Sequence, residues 1–392
     1  MHKYYQALST PVSIISISSF SPLGTTAEDV WENYLNTDTL IRDFESGTKT
    51  VPAVALTAVQ QEAVNSLKAS DSKYSSLDNS VLYSILASRS AVQAAGWADG
   101  DIFGINIGSS RGATELFEKH HGEFLETGKT GVQASPATTL GNISSWVAQD
   151  LKSNGPEISH SITCSTALHA LLNGVAWLRA GMADKFLVGG SEAPLTPFTI
   201  AQMQAMKIYS AQDGQYPCRA FDFDKKANTM VLGEGAASAC LEPGKSPNAL
   251  AYIEGIGYAT EMLKHSVSIS DDAECMQKSM LMALKDTPLN EVDAIVMHAP
   301  GTIKGDLSEY AAIQKIFGAN LPLLTTNKWK IGHTFGASGL LSLEFAVLML
   351  QHDKFIDVPF VRSSNASQRP LKKILVNAVG FGGNAVSVLI SK

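Results

Sequence analysis

Four short stretches carry residue types that could do covalent chemistry. In Ser161-Ile162-Thr163-Cys164-Ser165-Thr166-Ala167-Leu168 a strand-like run ends near Cys164 and a helix of small and apolar residues begins. Amides at a helix start, with the helix dipole, favour a thiolate and lower its pKa, so Cys164 is a candidate nucleophile. A buried structural cysteine is the alternative, since free cysteines are commonly buried. In His298-Ala299-Pro300-Gly301-Thr302 the histidine follows the apolar run Ala294–Met297, and Asp306 and Glu309 come next on a turn and helix start. A histidine just past a strand end stands where α/β proteins place their sites; a surface histidine is the plainer reading. In Asn327-Lys328-Trp329-Lys330-Ile331-Gly332-His333-Thr334-Phe335-Gly336-Ala337-Ser338-Gly339, small residues around His333 permit close backbone approach, and Lys328 lies five residues ahead of it. Taken alone, Lys328 reads as a solvated charge. Gly380-Phe381-Gly382-Gly383-Asn384 offers either free amides for a developing oxyanion or a simple β-turn.

The chain that must position these residues has 392 of them, too many for one minimal core and suited to two fused or duplicated domains. Hydrophobic residues at 45% and charged residues at 17% exclude global disorder. The formal net charge of -7 leaves no bulk positive field for nucleic acid, while a small basic patch for an acidic protein partner is compatible with it. Cys164, Cys218, Cys240 and Cys275 are widely spaced with no CxxC pair, which argues against a zinc ribbon or disulfide scaffold and fits a reduced cytoplasm. The start, MHKYYQALSTPVSIISISSF, has too little positive charge and too short an apolar run for a signal peptide. Nowhere do about 18 apolar residues run together, so a soluble cytoplasmic protein with no membrane span is expected.

Short β-rich runs alternate with helical stretches. Strands are expected at Val12–Ser16, Ile102–Ile107, Lys185–Val188, Val231–Leu241, Ala294–Met297, Ile374–Val376 and Ala385–Ile390. Helices are expected at Ala27–Leu35, Asn79–Ala95, Ser165–Ala180, Glu274–Lys285, Ser308–Phe317 and Ser338–Gln351. This alternation predicts an α/β fold. The break at Glu242-Pro243-Gly244-Lys245-Ser246-Pro247 divides the chain into 1–245 and 246–392. The halves echo each other loosely, with Val188-Gly189-Gly190 and Gly380-Phe381-Gly382-Gly383 in similar places, which hints at duplication.

In order along the chain the four stretches read Cys, His-x-x-Gly-Thr, Lys-x4-His and Gly-Phe-Gly-Gly. This resembles the β-ketoacyl-acyl carrier protein synthases of the thiolase superfamily, over the whole chain. Ser21-Pro22-Leu23-Gly24, Asn142, Gly189-Gly190-Ser191-Glu192 and Val231-Leu232-Gly233-Glu234-Gly235 also look like that family. The resemblance is closest to the elongating group with a Cys-His-His triad. It implies a thiolase-like fold of two similar halves layered α/β/α/β/α, the first bearing the cysteine and the second both histidines. It implies that Cys164 takes the acyl chain from a carrier-protein thioester, with its own amide and that of Phe381 as the oxyanion hole. His298 and His333 would stabilise the enolate left when a malonyl thioester loses its carboxylate. Lys328 would support His333 and the charge balance, Phe381 would gate acylation from condensation, and Thr302 would bind pantetheine. No metal or redox cofactor is implied, because the phosphopantetheine arm belongs to the acyl carrier protein. The expected partners are that carrier and a second subunit, in a homodimer or in a heterodimer with a related ketosynthase-like chain.

Several positions depart from the family pattern. His-Gly-Thr-Gly-Thr reads His298-Ala299-Pro300-Gly301-Thr302, so Pro300 lacks the hydroxyl that threonine would offer. The family's glutamate nine residues after the second histidine is Ser342 here, and Glu344, two residues on, faces elsewhere on a helix. A carboxylate or ion network with Asp306, Glu309 and Lys328 would lack that member. Arg-Asp-Gly is replaced by Ala227-Asn228-Thr229, and the segment after Gly257 is short. These departures tilt the reading toward a specialised polyketide-like or polyene pathway over housekeeping fatty-acid elongation. A thiolase would need a second cysteine near Asn377–Asn384, a chain-length factor would lack Cys164, and an unrelated Cys-His hydrolase or a scaffold would leave Lys328 and the glycine turn unexplained. Carrier docking is expected on lysines drawn from Lys68, Lys73, Lys119, Lys129, Lys207, Lys225 and Lys226. Arg111, in Gly108-Ser109-Ser110-Arg111-Gly112-Ala113, sits where an apolar residue often closes the far end of the acyl pocket in the family. An unpaired buried guanidinium is costly, so a partner is expected, either Glu115 one helical turn on or a residue across a subunit contact.

Overall fold

Side-chain alternation along the strands decides the layers. The computed structural model describes residues 10–140, 142–262, 269–361 and 370–392; most of the start, on which the leader argument rests, lies outside the described residues. The strands are β1 (Val12–Phe20), β2 (Arg42–Ser46), β3 (Lys49–Val54), β4 (Gly104–Gly108), β5 (Glu157–Ile158), β6 (Phe186–Glu192), β7 (Leu232–Gly233), β8 (Gly235–Pro243), β9 (Ala251–Thr260), β10 (Ala294–Val296), β11 (Leu323–Thr325), β12 (Lys373–Gly380) and β13 (Asn384–Ser391). Ten form one sheet in the order β11-β10-β12-β13-β9-β1-β8-β6-β4-β5, and β2-β3-β7 form a small second sheet.

Along the large sheet, neighbouring residues point to different cores. Ile14, Val188, Val296, Val376 and Val388 enter one cluster with the helices Thr166–Arg179 and Ser338–Gln351. Ile15 and Leu187 enter a second cluster with the helix Asn79–Ala95. Ile295, Leu375 and Leu389 enter a third with the helix Glu274–Leu284. Two outer helical layers and a shared inner one therefore sandwich the strands, as α/β/α/β/α. The inner helix Ser338–Gln351 has every residue from Ser338 to Leu350 buried, which suits its nearly unbroken apolar run. Among the described residues no helix is long and apolar enough to cross a membrane.

The sheet is a topological repeat. In one group β5 and β6 flank β4 in parallel, β8 runs antiparallel to β6, and β1 antiparallel to β8. In the other, β11 and β12 flank β10 in parallel, β13 runs antiparallel to β12, and β9 antiparallel to β13. The groups meet where β1 pairs with β9. Val188-Gly189-Gly190 lies inside β6 and Gly380 ends β12, so the two glycine runs occupy equivalent strands but different positions in them. Gly190 lets β6 approach Ala167, where an added Cβ would fall 2.7 Å from the alanine's, whereas Gly382 and Gly383 turn the chain at φ 95° and 69°.

The expected helices at Ala27–Leu35, Asn79–Ala95 and Ser338–Gln351 form over those residues, and β1, β6, β12 and β13 run longer than their apolar patterns. Val231–Leu241 divides into β7 and β8 at Glu234, whose carboxylate accepts from the Leu56 amide at 2.9 Å and from Tyr83 Oη at 3.1 Å. The β2–β3 hairpin, β9, and the helices Ala58–Ser70, Thr114–Thr127 and Asn142–Leu151 were not foreseen.

Lys225 corrects one expectation. It is no surface lysine: its ammonium meets the Asp306 carboxylate at 2.7 Å, with both side chains 2% exposed or less. Asp306 also accepts from the amides of Phe221 at 2.9 Å and Gly301 at 3.0 Å, and so ties the loop after β10 to the segment before β7. Replacing one partner of a buried pair strands the other charge. Asp306→Ala should lower unfolding free energy by about 3–5 kcal/mol, with Lys225→Met/Asp306→Leu losing clearly less; denaturant titration of the three proteins checks this.

Candidate active site

The two inner helices begin at equivalent places in the repeat, and both beginnings feed one site. Cys164 lies in the connection from β5 to the helix Thr166–Arg179, and His333 in that from β11 to the helix Ser338–Gln351. Thr163, just before the thiol, holds φ 47°, a strained conformation for a β-branched residue. Its Oγ1 donates to the Phe381 carbonyl at 3.2 Å, which couples the Cys164 turn to the glycine turn between β12 and β13. Glycine at 380 is obligatory for that approach, since an added Cβ would fall 1.8 Å from Thr163 Oγ1 and 3.0 Å from the Cys164 nitrogen. Among the described residues neither the Cys164 amide nor the Phe381 amide donates to another residue's backbone.

His333 is gripped by the Val231–Gly235 run. Its amide donates to the Val231 carbonyl at 2.6 Å, and its carbonyl accepts from Gly233 at 3.2 Å. Ser338 Oγ lies 3.0 Å from His333 Nδ1; with the hydroxyl donating, the ring proton sits on Nε2. His298 is fixed through its backbone: Glu309 accepts from the amides of His298 at 3.0 Å and Ala299 at 2.8 Å, and from Asn377 Nδ2 at 3.1 Å. The two imidazole centroids are 5.2 Å apart and the rings are nearly perpendicular.

Cys164, His298, His333, Thr302, Gly380 and Phe381 line one cavity of about 370 Å³, whose remaining wall is largely apolar, with Met203, Met206, Ile208, Met230 and Phe335. Thr302 Oγ1 caps the helix Ile303–Phe317 by accepting from the Gly305 amide at 3.1 Å, which leaves its hydroxyl proton free to donate. Asn228 also lines the cavity, and its Oδ1 accepts from the Ile303 amide at 2.9 Å. Lys304, which the sequence reading missed, lines it with a half-exposed side chain paired to Asp271 at 3.2 Å. A lysine in the first turn of a helix carries no distinctive local signal.

Burial dominates the electrostatics. It pushes the Cys164 thiol up to about 12; the Glu192 carboxyl adds to the rise and the Lys328 ammonium opposes it. The expected lowering of the thiol by the helix start is thus not found, because loss of solvent outweighs it. Burial also drives His298 down to about 3 and His333 well below the usual range, with the Lys328 charge adding in both cases, so both imidazoles are neutral. Lys328 does not line the cavity; it is buried, and burial brings it down to about 8 against the pull of Glu309. Among the described residues no cluster of three or more His, Cys, Asp and Glu side chains could hold a metal ion.

Arg111 also lies outside the cavity lining. Its guanidinium stacks 5.9 Å from the centroid of Phe335, whose ring forms the cavity wall, and donates to Gln202 Oε1. Glu115 is not its partner; that carboxylate accepts from Asn79 Nδ2 at 3.2 Å. The Ser109–Arg111 turn is held instead by buried Glu192, which accepts from Ser109 Oγ at 2.8 Å and the Arg111 amide at 3.3 Å. Ser342 donates to Asn327 Oδ1 at 3.3 Å, while the Glu344 carboxyl lies beside Ser19, away from the histidines.

A buried thiol, two neutral imidazoles and a glycine turn, brought together by a duplicated five-layer fold, define a thiolase-like acyltransferase. Residues 9–246 match the family model "Beta-ketoacyl synthase, N-terminal domain" and residues 250–359 match "Beta-ketoacyl synthase, C-terminal domain". The chain belongs to the β-ketoacyl synthase family and is a condensing enzyme. It is 28% identical to a 3-oxoacyl-[acyl-carrier-protein] synthase 2 of Staphylococcus aureus, over 96% of this chain and 97% of that one. It is 27% identical to the protein of the same name from Coxiella burnetii, over 97% of this chain and 98% of that one. In fold it is similar to the ishigamide ketosynthase/chain length factor, with TM-score 0.84, 19% identity and coverage of 98% and 99% of the two chains. It is also similar to a β-ketoacyl synthase from Burkholderia phymatum, with TM-score 0.83, 21% identity and coverage of 98% and 99%.

Gly380→Ala should separate the glycine turn from the Cys164 amide. Alkylation of Cys164 by iodoacetamide is expected to change little, while acylation by a thioester falls by about 10²-fold, the loss typical of one oxyanion donor. Intact-mass time courses with both reagents check the split.

Proposed function

We propose that the enzyme condenses a malonyl thioester with an acyl chain held on Cys164, both delivered on the phosphopantetheine arm of an acyl carrier protein. The carrying observation is the convergence of Cys164, both neutral imidazoles and the Phe381 turn on one cavity. The Cys164 sulfur attacks the acyl thioester while one neutral imidazole takes its proton; the tetrahedral adduct collapses, and that proton passes to the departing pantetheine sulfur, which leaves as a thiol and restores the neutral imidazole. The Cys164 and Phe381 amides stabilise the tetrahedral oxyanion. The malonyl thioester then loses carbon dioxide, and its electron pair becomes an enolate whose oxygen accepts from His298 and His333. The enolate carbon attacks the acyl group, the Cys164–acyl bond breaks with its electron pair going to the sulfur, which takes up one proton from solvent, and the product leaves two carbons longer. Neutral imidazoles suit this step, because an imidazolium would hold the malonyl carboxylate instead of releasing it. Lys328 balances charge from behind the histidines, Thr302 donates to the pantetheine arm, and Phe381 gates the two half-reactions. No cofactor is needed beyond the carrier's arm.

Carrier binding is supported by the names of the curated relatives, by Lys304, which lines the cavity, and by exposed Lys207, whose carbonyl accepts from the lining residue Asn228. A second subunit, identical or ketosynthase-like, is supported by exposed Phe117, Phe124, Leu125 and Val132 on and after the helix Thr114–Thr127. We place the enzyme in the cytoplasm, with 1–245 and 246–392 as its two units and a specialised polyketide-like or polyene pathway as its setting. Arg111 supports that setting: a guanidinium over the Phe335 ring puts charge next to the apolar wall, which disfavours extension of the cavity for a long saturated chain.

Cys164→Ala should abolish covalent acylation and condensation, and Cys164→Gln should keep measurable malonyl decarboxylation. His333→Ala should cut decarboxylation by about 10²-fold or more while acylation falls far less, since enolate charge develops only in the former. Acylation of another cysteine, seen by intact mass in the wild type, would remove Cys164 from its role.

For substrate choice, short, aryl or conjugated acyl carriers should acylate Cys164 faster than long saturated ones, and Arg111→Leu should narrow the difference. Equal rates across the series in the wild type would dispose of the specialised pathway and leave housekeeping elongation.

A further inference from the structure

Buried cations in a protein are paired with carboxylates or held by a full set of acceptors. Lys328 is 1% exposed, yet among the described residues the hydrogen bond made by its ammonium goes to a neutral amide, Asn327 Oδ1, at 3.2 Å. That amide is itself pinned: Oδ1 also accepts from Ser342 Oγ at 3.3 Å, and Nδ2 donates to Tyr34 Oη at 3.3 Å. Asn327, Ser342 and Tyr34 are each 2% exposed or less, so none can exchange its partner for water. Tyr34 is locked in turn by its ring, 4.3 Å from that of Phe345. The trio comes from three elements: the helix Ala27–Leu35, the turn ahead of His333 and the helix Ser338–Gln351. Glu309 and Asp306 act on the ammonium through their charge, but their oxygens are committed to the loop amides of His298, Ala299, Phe221 and Gly301.

We propose that Asn327, pinned by Ser342 and Tyr34, is the positioning residue that holds the Lys328 ammonium behind the two histidines in place of a carboxylate. This rests on the ketosynthase reading of the site. The groups facing the ammonium are Glu309, Asp306, Cys164, Cys218, His298 and His333. With no carboxylate bonded to it, burial keeps Lys328 near 8, so its charge is present below that pH and lost above it. The charge opposes the rise of the Cys164 pKa, adds to the burial that keeps both imidazoles neutral, and favours the negative charge that develops beside them when malonate loses carbon dioxide. Activity should therefore fall on the alkaline side as Lys328 deprotonates. A carboxylate at 327 would hold the proton and carry that fall to higher pH; removal of the amide would carry it lower.

The test is the pH profile of malonyl-thioester decarboxylation by the full chain. Asn327→Asp should move the alkaline fall up by about 1–3 pH units. Asn327→Ala should move it down and lower kcat on the order of tenfold, with KM within about twofold. Adding Ser342→Glu to Asn327→Ala should recover kcat and move the fall upward again. If Asn327→Ala does not fold by thermal melting, Ser342→Ala and Tyr34→Phe, which free the amide without removing it, should each shift the fall in the Asn327→Ala direction. Folded variants that all keep the wild-type profile overturn the positioning role, while the functional reading stands. A wild-type enzyme that decarboxylates no malonyl thioester overturns the functional reading itself, and this inference with it.

Discussion

Burial of two helices against each other, at the centre of a duplicated sheet, is the constraint on which the rest depends. Thr166–Arg179 and Ser338–Gln351 share one apolar cluster with strands of both groups. Each enters that cluster from a connection that follows an edge strand, β5 or β11. Packing the helices therefore brings together the two connections that carry Cys164 and His333. Close approach there needs small residues: Gly190 meets Ala167 and the Gly336 carbonyl, and Gly339 meets Leu168. Side chains at these positions would push the helices apart and part the thiol from the imidazole.

The second constraint is electrical. Excluding water makes the charged form of every group in the site costly. The thiol is held protonated and the imidazoles neutral, and the Lys328 charge acts on all three. The carboxylates nearby are spent on structure. Glu309 fixes the backbone at His298 and Ala299, Asp306 fixes Gly301 and binds Lys225, and Glu192 fixes the turn at Ser109–Arg111. A condensing enzyme gains from this division, because no uncommitted carboxylate then opposes new negative charge beside the thiol and the imidazoles.

The cavity combines two chemistries. Its lining joins Thr302 and the exposed Lys304, at the start of the helix Ile303–Phe317, to a methionine-rich apolar wall that includes Phe335. Methionine adapts to irregular apolar shapes, and the polar layer of Arg111 and Gln202 lies immediately behind the phenylalanine.

Local chemistry was legible in the order of residue types. Cys164, the His298 and His333 stretches and the glycine turn stood out because each pairs a reactive or permissive residue with a strand or helix end, and apolar periodicity marked the inner helix Ser338–Gln351. What neighbours through space decide was not legible. Lys225 looks like any surface lysine until the fold sets Asp306 against it. Arg111 suggested Glu115 by helical spacing, but the guanidinium lies over Phe335 and meets Gln202, 91 residues away. The Cys164 thiol departs from the helix-start expectation for the same reason: the helix start is written in the sequence, whereas burial and the nearness of Glu192 arise only when distant segments pack. Periodicity and turn chemistry act over a few residues and so survive in a string of letters. Desolvation and charge pairing depend on distances that only the tertiary structure sets.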